Sequence, residues 1–371
     1  MRILILANND VGLYKFRKEL LERLISDVHT VYASLPDGEL IPDIKALGCE
    51  VIITEISRRG VNPIEDIKLL QNYKRIIKEK KPDVVLTYTI KPNVYGGAAC
   101  ASLNVPYIAN VTGLGTAIEN GGLMQKITLT LYRYGLRKAN TVFFQNVTNK
   151  DFFEKEGLLK SKSLLIPGSG VNTEQHRYEP YPEISKHEDK FLFVGRIMKD
   201  KGIGELLEAA KKIKGIYPNV TFDVVGGFDE NYSDEIKALE NDGIIKYWGQ
   251  QSDVHQFYKN CCAVVLPSYH EGMANVLLEA SSTGRPVLAS NIPGCTETFD
   301  EGITGFGFKE KSAENLVESI KDFIELDYDK KVNMGKAARE KVKREFDRNI
   351  VVNAYIEELS EVLTLNMSHR R

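Results

Sequence analysis

The sequence is poor in the features that most quickly betray a chemistry. Its 371 residues hold five cysteines, at positions 49, 100, 261, 262 and 295, an odd number without a Cys-x-x-Cys pair. That spacing fits neither a zinc site nor a redox pair, and it points to a reducing cytoplasm. The six histidines form no cluster. Neither Gly-x-Gly-x-x-Gly nor Gly-x-x-x-x-Gly-Lys-Ser/Thr occurs, so nicotinamide-dehydrogenase and P-loop readings lose their main support. Gly113-Leu-Gly115 begins like the former, but Ile118 stands at the third position. The one Asp-x-Asp, Asp327-Tyr-Asp329, falls between two helical segments and reads as a solvated turn. No apolar run approaches the ~18 residues a membrane helix needs, and Met1–Ala7 lacks the length of a signal peptide.

What is present describes a globular enzyme-sized chain. Hydrophobic residues make up 43% and charged residues 27%, which argues against extensive disorder. Single cores stop growing beyond roughly 250–300 residues, so two domains are expected. The net charge of −2 does not suggest a nucleic-acid binder, yet it is unevenly divided. Residues 1–171 carry +6 and the remainder −8. The basic half is suited to something anionic, a phosphate or a membrane surface, unless the difference is only one of solvated helix faces.

Short apolar runs alternate with amphipathic stretches. Ile3–Ala7, Val28–Ser34, Val51–Glu55, Val84–Tyr88, Tyr107–Asn110 and Thr141–Gln145 read as strands, and Leu13–Ile25 and Ile64–Lys80 as helices. In the second helix Ile64, Ile67, Leu70, Ile76 and Ile77 are expected on one side. Periodicity stops near Pro167–Pro182 and then resumes. Phe191–Val194, Thr221–Val225, Cys262–Leu266 and Val287–Ser290 read as strands, and Ile203–Ile213, Asn275–Ser282, Ala313–Leu326 and Ile350–Leu363 as helices. This α/β alternation predicts two parallel-sheet domains with a ligand cleft at the carboxyl ends of the strands. The expected boundaries are 1–171, a hinge at 172–189, 190–345, and a last helix at 346–371.

Three stretches carry chemistry. In Leu266-Pro-Ser-Tyr-His-Glu-Gly-Met-Ala-Asn-Val-Leu-Leu-Glu279 a strand leads through Glu271-Gly272 to a helix start, where free amides and the helix dipole favour a phosphate. Glu279 follows Asn275 by one turn, and its carboxylate can accept from both hydroxyls of a ribose. Phe191–Arg196 ends a strand on a cation, with Lys201-Gly202 close behind, a pairing matched to a diphosphate. Asn8-Asn-Asp-Val-Gly12 follows the first strand and lets an anion or a sugar approach. Each alone is also compatible with an ordinary solvated surface.

Together they resemble the retaining GT-B glycosyltransferases of family four, over nearly the whole chain. The match includes Gly-Arg at a strand end, Lys-Gly at a helix start, Glu271 and Glu279 with seven residues between them, Gly170-Val-Asn172, and a last helix that in this fold returns to the first domain. Gly12–Arg17, Gly113-Leu-Gly115 and Val225–Glu230 further resemble a bacterial subgroup that adds N-acetylgalactosamine or related sugars to polyprenyl-diphosphate-linked glycans. The resemblance implies two Rossmann-like domains, a UDP-sugar donor and transfer without a metal or other cofactor. It implies that Arg196 and Lys201 neutralise the departing diphosphate and that Glu271 faces the donor sugar. Gly12, Gly272, Met273, Ala274, Asn275 and Val276 would line the donor, Glu279 would hold the ribose, and Trp248–Asp253 would lie at the base. On the acceptor side it implies Lys91 for a diphosphate and Asn93 for a hydroxyl, with Thr112 and Gly113 nearby. Many relatives carry His-Gly where this chain has Thr112-Gly113, and a threonine cannot serve as a base near neutral pH.

Arg58, Arg59, Lys68, Lys74, Arg75, Lys78, Lys80 and Lys81 supply much of the basic charge, and Leu123–Tyr134 mixes apolar, aromatic and basic residues. They predict a cytoplasmic protein lying peripherally on the inner face of an anionic membrane. Two rival readings stay open, a UDP-sugar epimerase of the same fold and a non-catalytic nucleotide-sugar-binding subunit. The donor sugar is also open.

Overall fold

The computed structural model describes residues 1–57, 62–113 and 122–369, in two compact units. Arg58, Arg59, Leu114, Gly115 and Ile118 lie outside the described residues. One unit comprises Met1–Ser169 with Asn349–Arg371, and the other Gly170–Arg348.

In the first unit β1 (Arg2–Leu6), α1 (Asp10–Ser26), β2 (Thr30–Leu35), α2 (Ile41–Ala46) and β3 (Glu50–Ile53) are followed by α3 (Pro63–Lys80) and β4 (Val84–Tyr88). Then come α4 (Gly97–Leu103), β5 (Tyr107–Val111), α5 (Gly122–Leu136), β6 (Thr141–Phe144), α6 (Val147–Lys155) and β7 (Lys162–Leu165). The sheet order is β3-β2-β1-β4-β5-β6-β7 and every pairing is parallel. β4 and β5 are buried at every position, as continuous apolar strands between two helical layers must be.

The order reverses between β1 and β4, which makes the crevice beyond their carboxyl ends the switch point of the sheet. Asn9 caps α1, its side chain accepting from the Gly12 amide, so Gly12 sits inside the first helical turn and not in an open loop. In α3 the buried side is Asp66, Leu69, Tyr73, Ile76 and Ile77, while Ile64 and Ile67 face outward, contrary to the sequence expectation. The helix turns this way because the Tyr73 ring fills the interior and Asp66 meets Lys91 and Tyr95 beneath it.

The second unit contains β8 (Lys190–Val194), α7 (Ile203–Ile216), β9 (Thr221–Val225), α8 (Ser233–Asn241), β10 (Lys246–Tyr247) and α9 (His255–Asn260). It continues with β11 (Ala263–Leu266), α10 (Asn275–Ser282), β12 (Val287–Ser290), β13 (Gly305–Phe308), α11 (Ala313–Ile324) and α12 (Tyr328–Glu345). Its order is β10-β9-β8-β11-β12-β13, again parallel, with the switch point between β8 and β11. The proline-rich segment before β8 is counted in this unit, and the buried Arg285 guanidinium donates to the carbonyls of Glu179 and Pro180. At the foot of β8 the buried Lys331 ammonium has three acceptors, both Asp189 carboxylate oxygens and the Ile324 carbonyl, which matches its three donors.

The last helix, α13 (Arg348–His369), belongs to the first unit from Asn349 onward. There Tyr355 packs on Phe143 and Tyr88, its hydroxyl donates to Asn110, and Glu358 accepts from Thr141. The buried Arg17 guanidinium stacks over both Tyr88 and Tyr355, which gives the end of the Gly12–Arg17 motif a structural task. Among the described residues no helix is long and apolar enough to cross a membrane.

Candidate active site

In the second unit, the candidate residues gather beyond the switch point. β8 ends at Val194 and leads into Gly195-Arg196, and β11 ends at Leu266 and leads through Ser268 to Glu271. Lys201 closes a short 3-10 turn, and Gly202 follows in the left-handed region at φ +68°. A methyl at Gly202 would stand 2.0 Å from the Pro267 carbonyl oxygen, so only glycine lets this turn lie against the end of β11. The consequence is an ion pair. The Lys201 ammonium donates to Glu271 Oε1, which also accepts from the Ser268 hydroxyl at 2.9 Å. The two charged side chains are only 19% and 13% exposed.

Arg196 is more open, and its guanidinium donates to Asp229 Oδ2 at 2.7 Å. Asp229 and Glu230 end the Val225–Glu230 motif, and Glu230 accepts from the Lys199 amide at 2.8 Å. Gly226, at φ +153°, lies where an added methyl would collide with the Gly195 carbonyl oxygen. The motif thus braces the loop that carries both cations. Asp229 and Ser268 are the residues that sequence reasoning missed here; both lie inside stretches it singled out, but neither was given a role of its own.

The loop from Glu271 to α10 is partly closed on itself. The Ala274 amide donates to Gly294 O at 2.8 Å and the Asn275 amide to Met273 O at 3.0 Å. Two of the amides expected at the donor, one near its sugar and one at a phosphate, are therefore engaged within the chain. The Asn275 side-chain Oδ1 is buried without a partner among the described residues. One turn on, Glu279 Oε2 accepts from the hydroxyl of Tyr258 at 2.8 Å, and Tyr258 is fully buried. Trp248, half-exposed, donates its indole N–H to Asp223 and lies under the Lys246 ammonium at 3.7 Å.

In the first unit, Asn8, Ile56, Thr89, Ile90, Lys91, Thr112 and Gly113 line a recess of about 240 Å³. Its walls come from the carboxyl ends of β1, β4 and β5, at that sheet's own switch point. Lys91 is not a loose loop cation, because its ammonium is 2.7 Å from Asp66, which also accepts from Tyr95. Asn93 is misplaced by the sequence reading. It is fully buried in a wide π-type turn, Pro92–Gly96; its Oδ1 accepts from Thr87 and its amide donates to the Asn110 carbonyl. Its burial closes the side chain off from an acceptor hydroxyl.

Among the described residues no three His, Cys, Asp or Glu side chains converge as a metal site. Two family models match the chain, "Glycosyl transferases group 1" over residues 175–341 and "Glycosyl transferase 4-like" over residues 2–146. The chain is a glycosyltransferase, matched in each of its two units. It is a hexosyltransferase by family, and its two parallel-sheet units are those of the GT-B fold. A Campylobacter jejuni N,N'-diacetylbacillosaminyl-diphospho-undecaprenol alpha-1,3-N-acetylgalactosaminyltransferase is 29% identical over 98% of this chain and 99% of its own. An Escherichia coli UDP-Gal:alpha-D-GlcNAc-diphosphoundecaprenol alpha-1,3-galactosyltransferase is 26% identical over 78% of each chain. Among solved structures, a sucrose-phosphate synthase of Thermosynechococcus elongatus superposes with a TM-score of 0.81 over 98% of this chain and all of that one, at 20% identity.

Proposed function

We propose that this glycosyltransferase moves a sugar from a UDP-sugar to a polyprenyl-diphosphate-linked glycan in bacterial surface-glycan assembly. N-acetylgalactosamine is the favoured sugar, because the C. jejuni relative that matches along its full length is an N-acetylgalactosaminyltransferase. The transfer retains the anomeric configuration and needs no metal. The observation that carries this reading is the Lys201–Glu271 pair at the switch point between β8 and β11, with Arg196 beside it in the chain.

Both cations are held by carboxylates, Arg196 by Asp229 and Lys201 by Glu271. An arriving donor diphosphate exchanges these partners for phosphate oxygens and frees Glu271 to accept from the sugar's hydroxyls. As the bond from the sugar's anomeric carbon to the β-phosphate oxygen breaks, the two cations take up the developing charge, the task a metal performs elsewhere. The start of α10 adds its dipole at the phosphate, through the Val276 amide. Glu279, oriented by Tyr258, receives the ribose hydroxyls. The acceptor hydroxyl bonds to the anomeric carbon on the face the diphosphate leaves, and its proton passes to the departing phosphate oxygen. Thr112 can hydrogen-bond but supplies no base, which agrees with that route.

Contact with a membrane surface rests on α5. Its inner side buries Leu129, Tyr132 and Leu136, while Leu123, Met124, Ile127 and Tyr134 are exposed, with Lys126 and Arg133 among them and Arg137 just beyond the helix end. An exposed apolar stripe edged by cations suits the cytoplasmic face of an anionic bilayer.

The test is product analysis. Incubation with UDP-N-acetylgalactosamine, a polyprenyl-diphosphate-linked monosaccharide and EDTA is expected to give a disaccharide lipid whose new linkage is α by NMR. A β linkage, or a strict metal requirement, would overturn the mechanism.

A further inference from the structure

Thr89 follows β4 with φ +72°, in the left-handed region. A β-branched residue is a poor occupant of that region, since its branched carbon crowds the neighbouring backbone. Its hydroxyl oxygen is buried and has no hydrogen-bond partner among the described residues. Strain and an orphan hydroxyl on one residue are two separate costs. The same residue lines the recess at the switch point of the first sheet, between Asn8 and Thr112.

We infer that Thr89 is a specificity-determining residue that reads a hydroxyl of a pyranose seated in this recess. The inference rests on the transferase reading above. The recess suits a neutral sugar better than a phosphate. Among the described residues its one cation, Lys91, is already neutralised by Asp66, and the other walls are amide, hydroxyl and aliphatic groups. At about 240 Å³ it is smaller than the usual ~300–1,000 Å³ of drug-sized pockets, in keeping with a single ring. A sugar hydroxyl there would give Thr89 the partner it lacks, and the strained backbone fixes where that partner must stand.

The source of the sugar, acceptor or donor, is separated by the arms of the experiment. Thr89→Gly removes the hydroxyl and relieves the strain, and Thr89→Ser restores a hydroxyl. The glycine variant is expected to melt at or above the temperature of the parent protein while losing about ten-fold in kcat/KM for the substrate whose sugar is read. The serine variant is expected to keep at least half the parent activity. A raised KM for the lipid-linked acceptor at saturating donor assigns the recess to the acceptor sugar. A raised KM for donor hydrolysis without acceptor assigns it to the donor sugar. Saturation-transfer NMR with free methyl glycosides, comparing the parent protein and Thr89→Gly, reads the recess without turnover. That separates failure of this inference from failure of the transferase reading. Unchanged kinetics and unchanged glycoside contact in Thr89→Gly would overturn the inference, as would a serine variant as impaired as the glycine one. A large loss of stability in Thr89→Gly would make the residue structural.

Discussion

The ammonium of Lys201 and the carboxylate of Glu271, seventy positions apart in the chain, meet at the switch point of the second sheet. Glycine at 202 makes the meeting possible, because the turn that carries Lys201 must press against the backbone of Pro267. The pair neutralises two mostly buried charges, and in the proposed function both groups are called on by the donor. The reading predicts that they separate in their effects on stability and on catalysis.

Lys201→Ala leaves Glu271 with Ser268 as its remaining partner and is expected to cost about 1–3 kcal/mol in urea unfolding. The double variant Lys201→Met, Glu271→Gln removes both charges and is expected to recover most of that loss, since a neutral pair has no charge left to desolvate. Activity in the double variant stays at least about 100-fold down. Recovery of activity together with stability would mean that the pair only braces the fold.

Asn93 separates in the opposite sense. Asn93→Ala leaves the Thr87 hydroxyl and the Asn110 carbonyl without their partner inside the protein. Chemical denaturation is expected to show a loss of about 2–3 kcal/mol, while the KM for acceptor stays within two-fold in the folded fraction.

Most of this architecture was legible in the sequence, and the exceptions have physical causes. Continuous apolar runs such as Val84–Tyr88 and Val287–Ser290 identify buried parallel strands because both of their faces are covered. Lys162–Leu165, an edge strand with half its residues polar, has no such run and escaped notice. The position of Glu271 after a strand was readable, but its pairing with Lys201 was not, because the contact depends on the approach of two turns distant in sequence. Asn93 was misread for a related reason. A polar residue after a strand end looks the same in sequence whether it faces a ligand or an internal partner such as Thr87.

Acid should weaken the second unit at an identifiable residue. Glu179 is nearly buried, and its carboxyl is held below the ordinary range chiefly by the hydrogen bond with His255, with Lys259 and Arg177 adding attraction. A depressed folded-state pKa contributes stability above the unfolded value and loses it as pH falls through the folded value. Between about pH 6 and about pH 3.5 the urea midpoint is therefore expected to fall less in Glu179→Gln than in the parent protein. Parallel acid limbs would contradict this.

The exposed side of α5 yields a prediction independent of catalysis. Replacing Leu123 and Ile127 with serine is expected to weaken binding to vesicles containing phosphatidylglycerol at least about ten-fold, since each apolar side chain buried contributes roughly 1.5–3 kcal/mol. UDP release with a short-chain, water-soluble acceptor should not change. Vesicle flotation at two salt concentrations measures the binding, and high salt should weaken it in the parent protein.

The most direct test of the central claim is UDP release from a panel of UDP-sugars in EDTA, with and without a polyprenyl-diphosphate-linked sugar, alongside Glu271→Ala and Lys201→Ala. The account predicts release that depends on the acceptor, is strongest with one donor, and is lost in both variants. Release that ignores the acceptor, or that survives in both variants, would contradict it.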